Sequence, residues 1–507
     1  MKKIILVLLF IPLLVAAQNN NAVVPSFIKD SLDNYVNKAL LQWNIPGVSV
    51  CVVKDGKVVV MKGFGAKELN GNDKIDENTL FMIGSNTKAF TATILATLNE
   101  EKKLSLEDKA TKWLPQFKMK DDWVTKEVTV RDLLCHRLGM MTFQGDFMFF
   151  DTDLSTDDIF KKFARLTPAH SFRSTWGYTN AAFLAGGLVA ANATNSTWQD
   201  LVRTRIFQPL GMTRSLALSK EIINATNKAT AHTMDGDKLI KIPYGQLDNI
   251  APAGSISSSV NDLSKWVTML LDNGKFEGKQ IIPSSAIQQT RAPNSILGDG
   301  RVLFNSGHFS LYGLGWMLQE YGGKKIVSHT GGVNGFVTSV TLIPEEKLGI
   351  VVLTNTDANQ FFEALKWEIM DAYLGFPYRN YSQLYSNFSA RQNKVEQENI
   401  KQKRDSIAMH LPMTVSLKKF VGEYENDPYG TLKIEEEGDH LKIKFQHHVM
   451  TGKLEPLSGN RFLCTYSNPI WGIVAIPFTI ENNEVKSVTI KVADFVDYMP
   501  YEFKKKK

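Results

Sequence analysis

The sequence predicts an α/β chain in two parts. The first is an antiparallel sheet flanked by helices, with a mostly helical lobe inserted between its strands. The second is a small all-β barrel. Three observations predict this. Strand patterns near residues 48–64 and 337–355 bracket a long stretch of helical and loop patterns. A polar, apolar-poor segment begins near residue 380. Short alternating segments fill most of the remainder.

Taken in order, Pro25 to Leu41 carries apolar residues at Phe27, Ile28, Leu32, Tyr35, Val36 and Ala39, the stripe of an amphipathic helix. Val48 to Val53, the turn Lys54-Asp55-Gly56-Lys57, and Val58 to Phe64 read as a β-hairpin. From about residue 86 to 320, helical or loop patterns dominate. Strands return at Val337–Ile343 and Gly349–Asn355, divided by Pro344-Glu345-Glu346-Lys347, and a helix spans Asn359–Leu374. A sheet built from both ends of this part, covered by its terminal helices, leaves a crevice against the helical lobe.

From Asn380 to Met413 the composition shifts to Asn, Gln, Lys, Glu and Ser, as expected of a partly helical linker. Beyond it, Val421–Glu425, Thr431–Glu436, His440–Phe445, Arg461–Tyr466, Ile473–Ile480 and Glu484–Val492 alternate as short strands. The expected organisation is a signal peptide over 1–17, a first domain over 18–380, a linker over 381–412 and a barrel over 413–507. The barrel aromatics Tyr424, Phe445, Phe462, Tyr466, Trp471 and Phe478 read as core, and His447-His448 lacks further ligands for a metal. Lys504 to Lys507 read as a solvated, frayed end.

Length and composition set limits. At 507 residues the chain exceeds one ordinary domain, and 43% hydrophobic with 22% charged residues marks it as globular. Lys2-Lys3, the apolar run Ile4–Val15 and the small residues Ala16-Ala17 have the form of a secretory signal, so the protein is expected to be exported, periplasmic or secreted. The run is too short for a comfortable bilayer span. Cys51, Cys135 and Cys464 are too few for a disulfide framework and read as structural, with a single bridge between two of them left open. The net charge of +6 lies partly in the two ends, and no basic stripe with interleaved aromatics indicates nucleic acid.

Chemistry concentrates at Phe81-Met82-Ile83-Gly84-Ser85-Asn86-Thr87-Lys88-Ala89-Phe90. Phe90, Ile94, Leu95 and Leu98 predict a helix that opens at Ser85, with Lys88 one turn on and on the same face. A serine hydroxyl needs a neighbour to take its proton, and a desolvated lysine with a lowered pKa is suited to do so. A second Ser-x-x-Lys, Ser416 to Lys419, shows how little the spacing alone specifies. Two further stretches accompany the first. In Trp176-Gly177-Tyr178-Thr179-Asn180, a phenol near lysine can lose its proton near neutral pH, and the Asn180 amide can hold Lys88 and contact substrate. In Val327-Ser328-His329-Thr330-Gly331-Gly332, small residues admit an extended substrate, Thr330 offers a hydroxyl, and His329 offers a donor whose charge can vary near neutral pH. A backbone N–H there can pair with that of Ser85 as an oxyanion hole.

Ser85-x-x-Lys88, Tyr178-x-Asn180 and His329-Thr330-Gly331, in this order, resemble the three motifs of the penicillin-recognising serine hydrolases. That group includes class C β-lactamases, serine DD-carboxypeptidases, and related esterases and D-aminopeptidases. Asp132-Leu133-Leu134-Cys135-His136, Pro209-Leu210-Gly211-Met212 and Ala253-Gly254-Ser255-Ile256 also look like this family, and the likeness covers about residues 25 to 380. The resemblance implies a β-lactamase/transpeptidase-like fold and a lipocalin-like C-terminal barrel. It also implies catalysis by Ser85, Lys88 and Tyr178, and positioning by Asn180, His329, Thr330 and Gly331. The oxyanion hole would comprise the backbone of Ser85 and Gly332. No metal or organic cofactor is called for, and the implied partner is a small-molecule or short-peptide substrate.

The departures bear on substrate. Class C β-lactamases usually carry lysine where His329 stands, and similar DD-carboxypeptidases carry an arginine where Trp316-Met317-Leu318-Gln319-Glu320 stands. Lys324 and Lys325 are candidate substitutes. The expectation is an exported hydrolase acting through an acyl-enzyme on small peptides containing a D-amino acid. An esterase or weak β-lactamase is the nearest alternative. A non-catalytic binding or sensing protein on the same scaffold is the alternative of another class.

Overall fold

The computed structural model describes residues 24–298 and 301–507. The expected signal peptide, residues 1–17, lies outside the described residues. Helix α1 (Leu32–Gln42) leads into strands β1 (Gly47–Lys54) and β2 (Lys57–Gly65). The loop between these strands is Asp55-Gly56, with φ of 51° and 75°. Both residues sit in the left-handed region, so the two-residue turn matches the strand twist.

The strands β3 (Ser295–Gly298), β4 (Ser310–Tyr312), β5 (Met317–Tyr321), β6 (Lys324–Val333), β7 (Phe336–Ile343) and β8 (Leu348–Thr354) complete an eight-stranded sheet. Its order is β2-β1-β8-β7-β6-β5-β4-β3, antiparallel throughout. Thr354 of β8 lies opposite both Val48 of β1 and Val337 of β7, so the two ends of the sequence segment meet at the sheet's centre. The near-continuous Val and Ile runs of β1 and β8 follow from burial on both faces.

The inserted lobe supplies α2 (Thr87–Glu100), α3 (Asn180–Thr194) and α4 (Val260–Leu271); α5 (Phe361–Leu374) then covers the outer face of the sheet with α1. Helix α2 is buried from Thr87 to Leu98 on every side, not on one stripe. Its threonines are satisfied locally or by neighbours: Thr93 Oγ1 donates to the Ala89 carbonyl at 2.7 Å and Thr91 Oγ1 to that of Pro252 at 2.8 Å. Phe90 stacks on Trp266 of α4 at 4.2 Å between centroids, which ties α2 to the helix lying on β1 and β8.

Strands β3 to β5 fall inside the stretch read as helix and loop. They are short, and Met317-Leu318-Gln319-Glu320-Tyr321 mixes apolar and polar side chains without clean alternation; β5 pairs with the long strand β6, β4 with β5, and β3 with β4. The segment expected as a partly helical linker is largely one helix, α6 (Tyr381–Ala408), in which only Tyr381, Ser382 and Tyr385 are buried.

The C-terminal strands are β9 (Gly422–Asn426), β10 (Gly430–Glu437), β11 (His440–Phe445), β12 (Thr451–Ser458), β13 (Arg461–Tyr466), β14 (Ile473–Glu481), β15 (Glu484–Ile490) and β16 (Tyr501–Lys505). They close a barrel in sequence order. Two strands were not legible in advance: β12, interrupted by Pro456 at a register shift, and β16. The lysine tail therefore differs from the expectation of a frayed end. Tyr424 pairs with Lys505, and the Lys506 N–H donates to the Glu423 carbonyl at 2.8 Å. Phe503 turns into the core while the flanking Glu502 and Lys504 face outward, so alternation hides at the start of a run of like charge.

Tyr424, Phe462, Tyr466, Trp471 and Phe478 are buried, and Phe445 is half-buried. His448 stacks on Phe147 of the first domain at 5.1 Å, and Trp471 meets the same ring edge-on, so the hydrophobic core continues from lobe to barrel. His447 Nδ1 lies 2.8 Å from Asp153 Oδ1. All three cysteines are buried and free. Among the described residues no helix is long and apolar enough to cross a membrane.

Ending the chain at Pro500 removes β16 and exposes the edges of β9 and β15. The expected outcome is loss of the barrel's cooperative thermal transition in calorimetry; an unchanged transition would show that β16 is dispensable to closure.

Candidate active site

Ser85 lies in a single 3₁₀ turn, Gly84–Asn86, that feeds directly into α2. It is half-exposed, whereas Lys88, one turn later, is completely buried. Lys88 Nζ has three oxygen neighbours: Ser85 Oγ at 3.0 Å, Asn180 Oδ1 at 2.7 Å and the Ala253 carbonyl at 2.7 Å. The amide and carbonyl oxygens only accept. A neutral amine therefore gives its two hydrogens to Asn180 and Ala253 and turns its lone pair toward the Ser85 hydroxyl. Burial lowers the Lys88 pKa to about 7, against a partly opposing pull from the Asp146 carboxyl. The amine that geometry favours is thus accessible near neutral pH.

Tyr178 closes the other side. Its ring lies 4.7 Å from Lys88 Nζ, and its hydroxyl faces Ser85, yet among the described residues that hydroxyl has no well-formed hydrogen bond. Burial pushes the phenol far above its ordinary value, and the Ser85 hydroxyl draws it only partly back. This corrects the expectation of a phenol that ionises near neutral pH. Desolvation is the dominant effect on this buried ring, and it favours the neutral phenol.

Asn180 opens α3 and is aimed by Asp146, whose Oδ2 accepts from Asn180 Nδ2. Asp146 is fully buried, and burial, followed by the nearby Asp497 carboxyl of the barrel, raises its pKa well above the ordinary range.

On β6, His329 is 1% exposed and Thr330 is half-buried. His329 Nδ1 lies 2.6 Å from the Thr330 carbonyl and its Nε2 lies 3.1 Å from the Tyr312 hydroxyl. Tyr312 Oη is also 3.2 Å from His136 Nε2, and His136 Nδ1 accepts from the Thr179 N–H at 3.0 Å. The two ends fix the direction of the whole chain for neutral rings. A backbone N–H can only donate to His136, so His136 donates to Tyr312, Tyr312 to His329, and His329 to the Thr330 carbonyl. Burial, then the nearness of Lys88, lowers the His329 pKa to about 3. The expectation of a histidine offering variable charge is therefore corrected: both nitrogens are occupied and the ring is neutral.

Gly331 and Gly332 let β6 press against the turn before Ser85. A methyl group on Gly331 would lie 1.9 Å from the Ile83 carbonyl, and one on Gly84, whose φ is 51°, would lie 3.1 Å from the Gly332 nitrogen. Asn86 Nδ2 donates to Thr338 Oγ1 at 2.9 Å, and Thr338 Oγ1 to the Ile83 carbonyl at 3.0 Å, pinning the same contact. Gly332 itself is exposed.

The structure thus gathers Ser85, Lys88, Tyr178, Asn180, His329, Thr330, Gly331 and Gly332 in one crevice. Lys324 and Lys325 do not join them. They sit at the far end of β6, opposite Tyr321 and Glu320, about 17 Å along the strand, and Lys324 pairs with Glu346 at 2.7 Å. Ser416 and Lys419 are both exposed, and Lys419 Nζ donates to the Asn483 carbonyl, so the second Ser-x-x-Lys is solvated surface. A surface cavity of about 750 Å³ near Lys118, Phe160, Lys161 and Asp427 contains none of the motif side chains. Asp146 and Tyr312 were absent from the sequence reading, and His136 and Ala253 were named there only within family-like stretches, with no role assigned. No spacing rule connects them to Ser85.

A family profile described as Beta-lactamase matches residues 32–374. The chain belongs to the Beta-lactamase family. A second profile, a domain of unknown function named DUF3471, matches residues 410–505, the barrel region. Similar proteins include unguisins hydrolase ungD of Aspergillus violaceofuscus, 27% identical over 435 residues, covering 79% of this chain and 75% of that protein. Protein flp of Staphylococcus aureus strain NCTC 8325 is 24% identical over 343 residues, covering 65% of this chain and 64% of its own length. The octameric penicillin-binding protein homologue from Pyrococcus abyssi shares the fold, with a TM-score of 0.60 and 23% identity over 94% of this chain and 99% of that one. The β-lactamase-like hydrolase fold and the appended barrel are therefore as the sequence led one to expect.

Tyr312→Phe removes the hydroxyl that joins two buried imidazoles and leaves one unpaired donor and one unpaired acceptor. The expected cost is about 1–3 kcal/mol in denaturant unfolding. A variant as stable as the parent would contradict the hydrogen-bond chain drawn through His136 and His329.

Proposed function

We propose that this Beta-lactamase family member is an exported serine hydrolase that works through an acyl-enzyme on an amide or ester bond. The observation that carries the reading is the Lys88 amine, whose two acceptor-only neighbours leave its lone pair for Ser85. In the proposed sequence, Ser85 Oγ passes its proton to Lys88 Nζ and attacks the substrate carbonyl carbon. The oxyanion so formed is held by the backbone N–H groups of Ser85 and Gly332. Once Lys88 carries the proton, Tyr178, a neutral phenol facing Ser85, relays it to the leaving nitrogen or oxygen as the carbonyl re-forms. Water then attacks the acyl-enzyme, and the same groups return the proton to Ser85 Oγ.

The substrate follows from what β6 lacks. Among the described residues, a neutral, fully engaged His329 and a distant Lys324 place no cation beside Thr330 for a β-lactam carboxylate or a peptide C-terminus. This supports peptide amides or esters whose reacting end is uncharged over a dedicated β-lactamase, and weakens a strict DD-carboxypeptidase. A small peptide containing D-residues remains the substrate class we favour. The name of the unguisins hydrolase, 27% identical, is in keeping with a hydrolase.

Intact-mass spectrometry after incubation with a fluorophosphonate tests the reading. One adduct per chain is expected, lost in Ser85→Ala and formed at least about 10²-fold more slowly in Lys88→Met. A penicillin added under the same conditions is expected to leave no lasting adduct. Absence of fluorophosphonate labelling, or labelling that persists in Ser85→Ala, would overturn the assignment and favour a binding protein on this scaffold.

A further inference from the structure

Two aromatic rings of the barrel stand exposed at the mouth of the Ser85 crevice. Both belong to the segment between β15 and β16. Phe495 is 41% exposed and Tyr498 45%. A methyl group built on Gly332 would lie 3.1 Å from the Phe495 ring, so this ring sits directly over the exposed backbone of the proposed oxyanion residue. Tyr498 stacks on Phe143 at 5.5 Å and 26°, and Phe143 meets the Tyr178 ring edge-on at 5.4 Å. An apolar wall thus runs along the barrel side of the crevice, from above Gly332 to Tyr178.

The wall is preformed. Phe143 adopts a left-handed backbone, φ 61°, that a bulky residue rarely takes, and its N–H donates to the Tyr178 carbonyl at 2.8 Å. The barrel segment is held from both sides. Asp497, fully buried, accepts the N–H groups of Gly145 and Phe147 at 3.1 and 3.2 Å from the first domain, and the Tyr501 hydroxyl at 2.9 Å. Lys491 Nζ donates to the Asp494 carboxylate and to the carbonyls of Asp497 and Tyr498. The Ala493 N–H reaches the Trp471 carbonyl at 2.9 Å. Single exposed aromatics are ordinary on protein surfaces. Two on a segment anchored this firmly, both bordering a reactive serine, are placed to receive a ligand without paying for loop ordering. Their surroundings carry little free charge, because Lys491 neutralises Asp494 at 2.8 Å and His329 is neutral.

We propose that Phe495 and Tyr498 form a substrate subsite contributed by the barrel, which takes an apolar side chain, aromatic or branched aliphatic, next to the scissile carbonyl. The proposal rests on the serine-hydrolase reading of Ser85 and adds the substrate class: acyl donors with an uncharged hydrophobic group at that position.

The test compares p-nitrophenyl phenylacetate with p-nitrophenyl acetate in the full chain. The kcat/KM ratio between them is expected to fall at least roughly tenfold in Phe495→Ala/Tyr498→Ala. It is expected to recover substantially in Phe495→Leu/Tyr498→Phe, which restores apolar surface and whose melting temperature checks that the loop is intact. An unchanged ratio, or equal losses on both esters, would overturn the subsite. Failure of the parent protein to cleave either ester or to label at Ser85 would instead overturn the hydrolase reading beneath it.

Discussion

The site depends on one desolvated amine. Lys88 is closed off by α2, α3, the Ala253 turn and the Tyr178 ring, and water reaches none of it. Moving its pKa from 10.5 to about 7 corresponds to roughly 5 kcal/mol of disfavoured charge, far more than any one of its hydrogen bonds returns. That penalty is what makes a lysine useful as a base. Burial is likewise the first cause of the neutrality of its neighbours Tyr178 and His329.

A second consequence concerns the barrel. From Lys88 a continuous set of side chains leads outward through Asn180 to Asp146, and the Asp146 carboxyl feels Asp497 of the barrel. Phe147, one residue from Asp146, is packed by His448 and Trp471 of the barrel while its N–H is held by Asp497. The barrel therefore braces the segment that aims Asn180, and burial lifts the Asp497 pKa to about 6 in doing so. A domain that looked separable by composition is joined to the surroundings of Lys88 by both apolar and polar contacts.

Much of this was legible in residue order. The hairpin at β1 and β2 and the strands β7 and β8 announce themselves through apolar runs bounded by turn residues, and six barrel strands through alternation, because the faces of the barrel strands differ in exposure. The short strands β3 to β5 do not, since each is organised by pairing with its neighbour, outward from β6 through β5 and β4. Ser85, Lys88, Tyr178, Asn180 and the β6 residues could be named because family motifs tie identity to position. Asp146, Tyr312 and the Ala253 carbonyl could not, because their roles are created by distances between elements remote in sequence. His329 is the clearest case: its presence was read correctly, yet its neutrality depends on Tyr312 and on the carbonyl of its own neighbour. The lysine tail failed for the opposite reason, a charge run concealing the inward Tyr501 and Phe503 of a closing strand.

The most direct test of the account is the titration of Lys88 itself. Protein labelled with ¹⁵N at lysine side chains, with the Lys88 resonance assigned through Lys88→Met, reports the protonation of Nζ by NMR. Burial predicts a midpoint near 7, so that the neutral amine predominates above that pH and reactivity of Ser85 falls as pH drops below it. A Lys88 that stays charged up to the ordinary lysine range would contradict the claim that desolvation makes it the base for Ser85.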